Sequence, residues 1–178
     1  MKKILYPFCL LAALSFVSCD KVKTALFPDF DLALAEAEIE IPIIVSTSAE
    51  SEMGEETVSM NLDSAIRANT NDEFNLSHVN SIKVKRVEIE LLNADEENNL
   101  SNFEYAKVYV ATGANNPVIV GSYSIADAYA TSVSFQAESA DLKSLLSANQ
   151  FTYSVAGKAR RVTNKILDAK LKIILRVE

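Results

Sequence analysis

The side chains best suited to chemistry are few and far apart in the sequence. His78 is the only histidine, and Cys9 and Cys19 are the only cysteines, among the 178 residues. A Ser-His-Asp or Cys-His arrangement would have to use His78, but no G-x-S-x-G segment accompanies it and no cysteine follows residue 19. We therefore predict an ordinary loop histidine, no catalytic residues and a protein that is not an enzyme.

Acidic side chains are numerous, but their spacing does not define a site. Glycoside hydrolysis needs two facing carboxylates, and the sequence alone does not pair them. The segment from Asp95 to Glu97, with asparagines on both sides, offers oxygen ligands but lacks the spaced calcium-loop pattern, so a solvated turn is favoured. The acidic segment Glu50–Glu56 around Gly54 is interpreted in the same way, as a solvated loop. We predict no metal and no cofactor.

Tyrosines that could line an exposed face are the best candidates for recognition. Tyr105 and Tyr109 fall on one side of a predicted strand, opposite Ala106, Val108 and Val110. Tyrosine suits either a core edge or an interface, because its ring is apolar and its hydroxyl is polar. We take Tyr105 and Tyr109 as candidate binding residues, and note that Tyr123, Tyr129 and Tyr153 are further tyrosines available to such a face.

The first 19 residues have the layout of an export signal. Lys2 and Lys3 precede an apolar stretch from Ile4 to Val17. Ser18, Cys19, Asp20 and Lys21 end this stretch before it reaches the roughly 20 residues that a membrane-spanning helix needs.

The end of the apolar stretch, Phe16-Val17-Ser18-Cys19, resembles the lipobox of bacterial lipoproteins. The resemblance implies that the cysteine is acylated and becomes the mature N-terminus, with an acyl anchor such as palmitate. Asp20 retains some lipoproteins at the inner membrane, whereas other bacteria sort by different residues. We expect Cys19 to be lipidated and the protein to lie in the cell envelope, at the outer rather than the inner membrane; the alternative is a plain secreted protein cleaved near Cys19.

The charge of the chain argues against nucleic acid as a partner. The net charge is −7, and loss of Lys2 and Lys3 with the signal lowers it to −9. Phosphate-backbone binding depends on clustered Lys and Arg. The nearest cluster, from Lys158 to Arg161, is short and is interpreted as a solvated turn.

Beyond residue 30, alternation of apolar and polar residues with period two predicts strands. The clearest examples lie at 37–45, 87–91 and 167–177, and shorter candidates at 58–62, 106–110, 118–120, 133–137 and 151–155. The apolar phase changes before Ala37 and again before Val87, and each change predicts a β-bulge or a strand switch.

One short helix is predicted near residues 140–148, because Ser139 or Asp141 can cap it and leucines follow at 142, 145 and 146. A second helix near 63–68 is weighed against a loop. Strands without an alternating βαβ pattern favour a mainly β protein, an antiparallel β-sandwich. The pattern over 82–177 resembles small immunoglobulin-like domains of envelope lipoproteins.

These interpretations predict three parts: a signal peptide at 1–18, a lipidated tether at 19–29 and a single β-sandwich domain at 30–178. We expect a membrane-anchored, non-catalytic envelope lipoprotein that binds a protein, glycan or other envelope partner. The alternative is a carrier that holds a hydrophobic ligand in a cavity between the sheets.

Overall fold

The computed structural model of the protein describes residues 26–113, 117–137 and 140–178. In this part of the chain, nine strands form two antiparallel sheets packed together, with one α-helix, α1 (Leu62–Asn69), outside them. The predicted mainly β sandwich with one short helix is therefore confirmed. The strands are β1 (Phe30–Ala33), β2 (Ala37–Ile41), β3 (Glu50–Ser59), β4 (Ile82–Leu91), β5 (Phe103–Ala111), β6 (Val118–Ser124), β7 (Ser132–Gln136), β8 (Gln150–Ala159) and β9 (Leu167–Val177).

The two sheets differ in strand order. In the first sheet, β1 and β2 pair one after the other with the same side of β9, and β4 and β7 follow on its other side. In the second sheet the order is β3-β8-β5-β6. The core lies between them and is filled from both sides: Ile173 and Leu175 of β9 and Phe151 and Tyr153 of β8 are all fully buried.

Both predicted changes of phase are confirmed as interruptions of regular pairing. β1 and β2 are separated at residues 34–36, so that each half presents its apolar side chains to the core in its own phase. β4 carries a bulge between Val84 and Arg86 in its pairing with β9. The extra residue at each place lets a strand change phase without exposing its apolar side.

The helix lies elsewhere than predicted. Residues 140–148 form turns. The leucines spaced as in a helix lie in a single helical turn, in which the backbone N–H of Leu146 donates to Leu142 O at 2.8 Å. Asp141 does not start a helix, because its carboxylate accepts from the backbone N–H of Ile82 at 3.0 Å and so joins this turn to β4. Ser139, the other proposed cap, lies outside the described residues.

The helix α1 instead lies near residues 63–68, where the sequence allows either a helix or a loop. Asn61 caps it by accepting from the backbone N–H of Ser64, and Asp63 pairs with Arg67 one turn later at 2.8 Å. Leu62 and Ile66 are buried against the core. The strand predicted at 58–62 accordingly ends at Ser59.

The acidic segment around Gly54 is a strand rather than a solvated loop. Over Glu50–Ser59, β3 pairs with β8, with a register shift between Glu52 and Gly54. Gly54 adopts φ 137°, and a Cβ there would lie 2.4 Å from Ile39 and 2.7 Å from Glu40 O. The bulge hides the period of two, which explains why the sequence pattern suggests a loop.

Pairing of the strands also defines two ends of the sandwich. At the terminal end, β1 begins and β9 finishes, next to α1 and the loops at 60–81 and 137–149. At the opposite or far end lie the loops 42–49, 92–102, 125–131 and 160–166. Within the described ranges, no helix combines the length and apolar character needed to cross a bilayer.

Candidate functional site

The outer face of the second sheet carries both candidate tyrosines. Alternation along β5 buries Ala106, Val108 and Val110 and turns Tyr105 and Tyr109 outward, where both are half-buried. Lys107 lies between the two tyrosines on the same face. The predicted placement of Tyr105 and Tyr109 on one side of a strand is therefore confirmed, whereas their role in binding stays a prediction.

A hydrogen-bonded bridge crosses this face near the far end of the sandwich. Glu50 of β3 accepts from the Tyr105 hydroxyl at 2.7 Å and from Lys107 Nζ at 2.6 Å, across the intervening strand β8. Lys107 Nζ also lies 5.2 Å from the centroid of the Tyr105 ring. The ammonium of Lys107 and then the hydroxyl of Tyr105 hold the pKa of Glu50 below its usual value, while the hydrogen bond to Glu50 raises the pKa of Tyr105.

Beside this bridge lies an open groove above β8, which we call the β8 groove. Its floor consists of the small outward residues of β8, Thr152, Ser154 and Ala156. Glu52 and Glu55 of β3 form one wall. Tyr109 and Ala111 of β5 form the other, and the groove has a volume of about 470 Å³.

Cross-strand register explains why the groove exists. Glu55 pairs with Ser154, and Ser154 pairs with Tyr109, so one row carries a carboxylate, a small residue and an aromatic ring. Neighbouring strands lie about 4.8 Å apart, so the backbones of Glu55 and Tyr109 are separated by roughly 10 Å. A short side chain in the middle of such a row leaves a trough between two taller walls.

Glu52 and Glu55 make no ion pair with any described residue, whereas Glu50 is paired with Lys107, and Lys158, further along β8, is paired with Glu104. The groove therefore offers an aromatic ring facing two uncompensated carboxylates. Such a surface can pack against an apolar stem and attract positive charge, but it holds no histidine or cysteine to act as a nucleophile or base.

The remaining tyrosines do not belong to this face. Tyr123 stacks on Phe135 at the edge of the sandwich, with ring centroids 5.2 Å apart. Tyr129 is exposed in the far-end loop 125–131. Tyr153 points into the core, where its hydroxyl has no hydrogen-bond partner among the described residues and burial strongly raises its pKa.

The outer face of the first sheet has a different character. It is a ladder of opposite charges, in which Lys170 and Lys172 of β9 both approach Glu36 at 3.4 and 4.0 Å. At its terminal end, Arg176 pairs with Asp31 at 3.4 Å, and Asp31 also accepts from Lys85. These contacts pair the outward cations of β9 with acidic side chains. Glu38 and Glu90 lie opposite Lys170 in the register, whereas Glu40 lies opposite Asp168, a residue of the same charge.

The segment Asp95–Glu97 is an exposed turn at the far end, and hydrogen bonds to Asp95 hold it in place. Asp95 Oδ1 accepts from the backbone and side-chain nitrogens of Asn98, and its other oxygen lies 2.6 Å from Lys165 Nζ. These contacts, with Lys165 first, lower the pKa of Asp95. Buried Asn98 and Asn102 continue the network to loop 160–166.

The basic cluster 158–161 is also structural. Arg160 donates to the backbone oxygens of Ser101, Phe103 and Ile125, and so joins three far-end segments. It is therefore not the solvated turn that the sequence suggested: the guanidinium satisfies backbone carbonyls where the three segments meet.

His78 lies at the terminal end, away from the β8 groove. It is buried in a short helical turn, its Nδ1 accepts from the backbone N–H of Asn75 at 3.2 Å, and its ring packs edge-on against Phe74. Across residues 26–113, 117–137 and 140–178, no three His, Cys, Asp or Glu side chains are grouped so as to hold a metal ion. Cys9 and Cys19 lie outside the described residues.

Comparisons with known proteins add no functional information. No family model and no curated protein matches the sequence. Among solved structures, 85% of this chain is similar to 32% of a chain from infectious bursal disease virus Gx strain, at 6% identity and a TM-score of 0.35. It is also similar to 94% and 100% of the BFDV capsid protein chain in its 60-mer and decameric structures, at 7% and 8% identity and TM-scores of 0.31 and 0.30. Similarities this low carry no argument about this chain.

Proposed function

We propose that the protein is an exported, lipid-anchored envelope protein whose β-sandwich binds an envelope component through the β8 groove. The observation that carries the binding part is the β8 groove itself, in which Tyr109 stands opposite Glu52 and Glu55, two carboxylates without an ion pair among the described residues. The anchor rests on the lipobox-like sequence ending at Cys19.

The anchor and the fold are compatible in geometry. Phe27 packs against Phe30 and Phe74, with ring centroids 5.8 and 5.3 Å apart, so the chain is attached to the terminal end from Phe27 onward. Residues 20–26 would then separate the lipid from the domain by at most roughly 25 Å when extended. A lipid on Cys19 would direct the terminal end toward the membrane and leave the β8 groove facing sideways.

Labelling with a palmitate analogue tests the anchor. The wild-type chain and the Cys9→Ala variant should both incorporate label, whereas Cys19→Ala should incorporate none, because it lacks the thiol that would carry the lipid. Cys9→Ala is the matched control, since it removes the other thiol within the signal. Equal labelling of wild type and Cys19→Ala would refute the lipid site.

Binding of the acylated full chain to isolated envelopes tests the groove. Tyr109→Ala should weaken binding by about fivefold, an effect typical of an exposed aromatic contact. Tyr129→Ala removes an exposed tyrosine outside the groove and should leave binding unchanged. Full binding by Tyr109→Ala would contradict the proposed site.

A further inference from the structure

The β8 groove combines shape and charge in a way that selects one class of ligand. Its floor follows a single strand from Thr152 to Ala156, a length of roughly 14 Å at about 3.4 Å per residue. The Glu50 bridge to Tyr105 and Lys107 crosses β8 at the far end, whereas Ala111 and Thr152 lie at the end toward the terminal loops. A trough of this length along a strand matches a short, extended chain.

The walls favour positive charge. Glu52 and Glu55 stand on one side without an ion-pair partner among the described residues, and Tyr109 presents its ring from the other. The nearby cation, Lys107, is held by Glu50. A lysine or arginine side chain lying across the floor would place its stem against the ring and its charge near a carboxylate.

We infer that the β8 groove binds an extended cationic peptide segment, with its lysine or arginine side chains between Tyr109 and the carboxylates of Glu52 and Glu55. This inference rests on the proposed function and narrows its ligand to one chemical class. A chain of net charge −9 after loss of the signal would also draw such a segment by long-range attraction. A neutral glycan would use the ring but leave both carboxylates uncompensated.

Three probes of similar length distinguish the ligand classes: fluorescein-labelled hexalysine, fluorescein-labelled hexaglutamate and cellohexaose. Binding to the acylated full chain is measured by anisotropy for the peptides and by calorimetry for the sugar. Hexalysine alone should bind, and its affinity should fall as salt is raised, because surface charges are screened.

Substitutions in and beside the groove test whether hexalysine binds there. Glu55→Gln should weaken hexalysine binding by about threefold, and the double variant Glu52→Gln/Glu55→Gln by about tenfold, in line with surface ion pairs. Glu56→Gln is the matched control: it removes the same charge from the neighbouring residue, which pairs with buried Tyr153 and lies on the other side of β3. Tyr109→Ala, which removes the ring, should weaken hexalysine binding by about fivefold.

Two results would overturn the inference. One is equal hexalysine binding by wild type and the double variant. The other is cellohexaose binding that requires Tyr109 while hexalysine does not bind, which would leave the groove as a site for glycan and the proposed function intact. Failure of the proposed function is recognised separately, by full envelope binding of Tyr109→Ala.

Discussion

The outer faces of the two sheets arise from the same alternation of inward and outward residues, but their outward side chains form different surfaces. On the first sheet, the cations of the central strand β9 have acidic partners, as Lys170 and Lys172 have Glu36. On the second sheet, the outward residues of the central strand β8 are small, and the taller neighbours Glu55 and Tyr109 enclose a groove. Long charged side chains on the central strand cover the first face, whereas small residues on the central strand of the second face leave a groove walled by carboxylates and a tyrosine, which offers a place for a ligand.

The largest expected effect comes from filling the groove. Ser154→Arg places a long side chain on the floor, where its guanidinium can reach Glu52 and Glu55, and should reduce envelope binding by at least about tenfold. Ser134→Arg makes the same change on the outer face of β7 in the first sheet, opposite Glu88, and should leave binding unchanged. Envelope co-sedimentation measures binding. An equal loss of binding in both variants would show that the second sheet is not the specific binding face.

The next effect separates stability from binding within one strand. Tyr153→Phe removes a buried hydroxyl that has no partner among the described residues, so the free energy of unfolding should rise by about 1 to 2 kcal/mol. Its neighbour Ser154 lies on the groove side, so envelope binding should stay the same. Denaturant unfolding measures the change, and a less stable variant would show that the hydroxyl contributes a favourable contact.

The same hydroxyl predicts a pH dependence. Burial raises the pKa of Tyr153 above its ordinary value of about 10, so the unfolded chain loses this proton first as the pH rises. The contribution is fully present below the unfolded pKa and is lost as the pH increases above it. Wild-type protein should therefore lose more stability than Tyr153→Phe between about pH 10 and pH 12.

A smaller effect is expected on the first sheet. Lys172→Glu places like charges opposite Glu88 and near Glu36, and should lower the free energy of unfolding by about 1 kcal/mol. Binding of envelopes through the β8 groove should not change, because that groove lies on the other side of the core. A loss of binding without a loss of stability would assign a binding role to the first sheet.

The smallest effect concerns the bridge at the end of the groove. Glu50→Gln removes the carboxylate that raises the pKa of Tyr105, so this pKa should return toward its usual value. Titration of tyrosine resonances by NMR, assigned with Tyr105→Phe, measures the change. An unchanged pKa would mean that Glu50 and Tyr105 are not hydrogen-bonded in solution.

Strands were predicted best from the sequence where buried and solvent-facing residues alternate without interruption along the strand. β9 alternates over its whole length because its inner face is core and its outer face is solvent, and the phase changes before Ala37 and Val87 revealed the two interruptions. The prediction of a helix near 140–148 was wrong because a single helical turn from Leu142 to Leu146 gives the same leucine spacing as a longer helix. Local spacing does not distinguish the two.

The groove could not be predicted, because its walls come together only through pairing. Glu55, Ser154 and Tyr109 are distant in sequence and meet in one row through β3-β8-β5. The bulge at Gly54 also disguised β3 as an acidic loop. Tyr105 and Tyr109 were found from alternation alone, whereas the carboxylates opposite them required the register.

Site-specific photo-crosslinking in intact cells tests most directly whether the second sheet is the binding face. A photoreactive phenylalanine replaces Tyr109 in one variant and Lys172 in another, and each is combined with Ser154→Arg. We predict an adduct with an envelope component from position 109 that Ser154→Arg abolishes, and none from position 172. Adducts from position 172 alone, or an adduct from position 109 that persists with Ser154→Arg, would contradict this prediction.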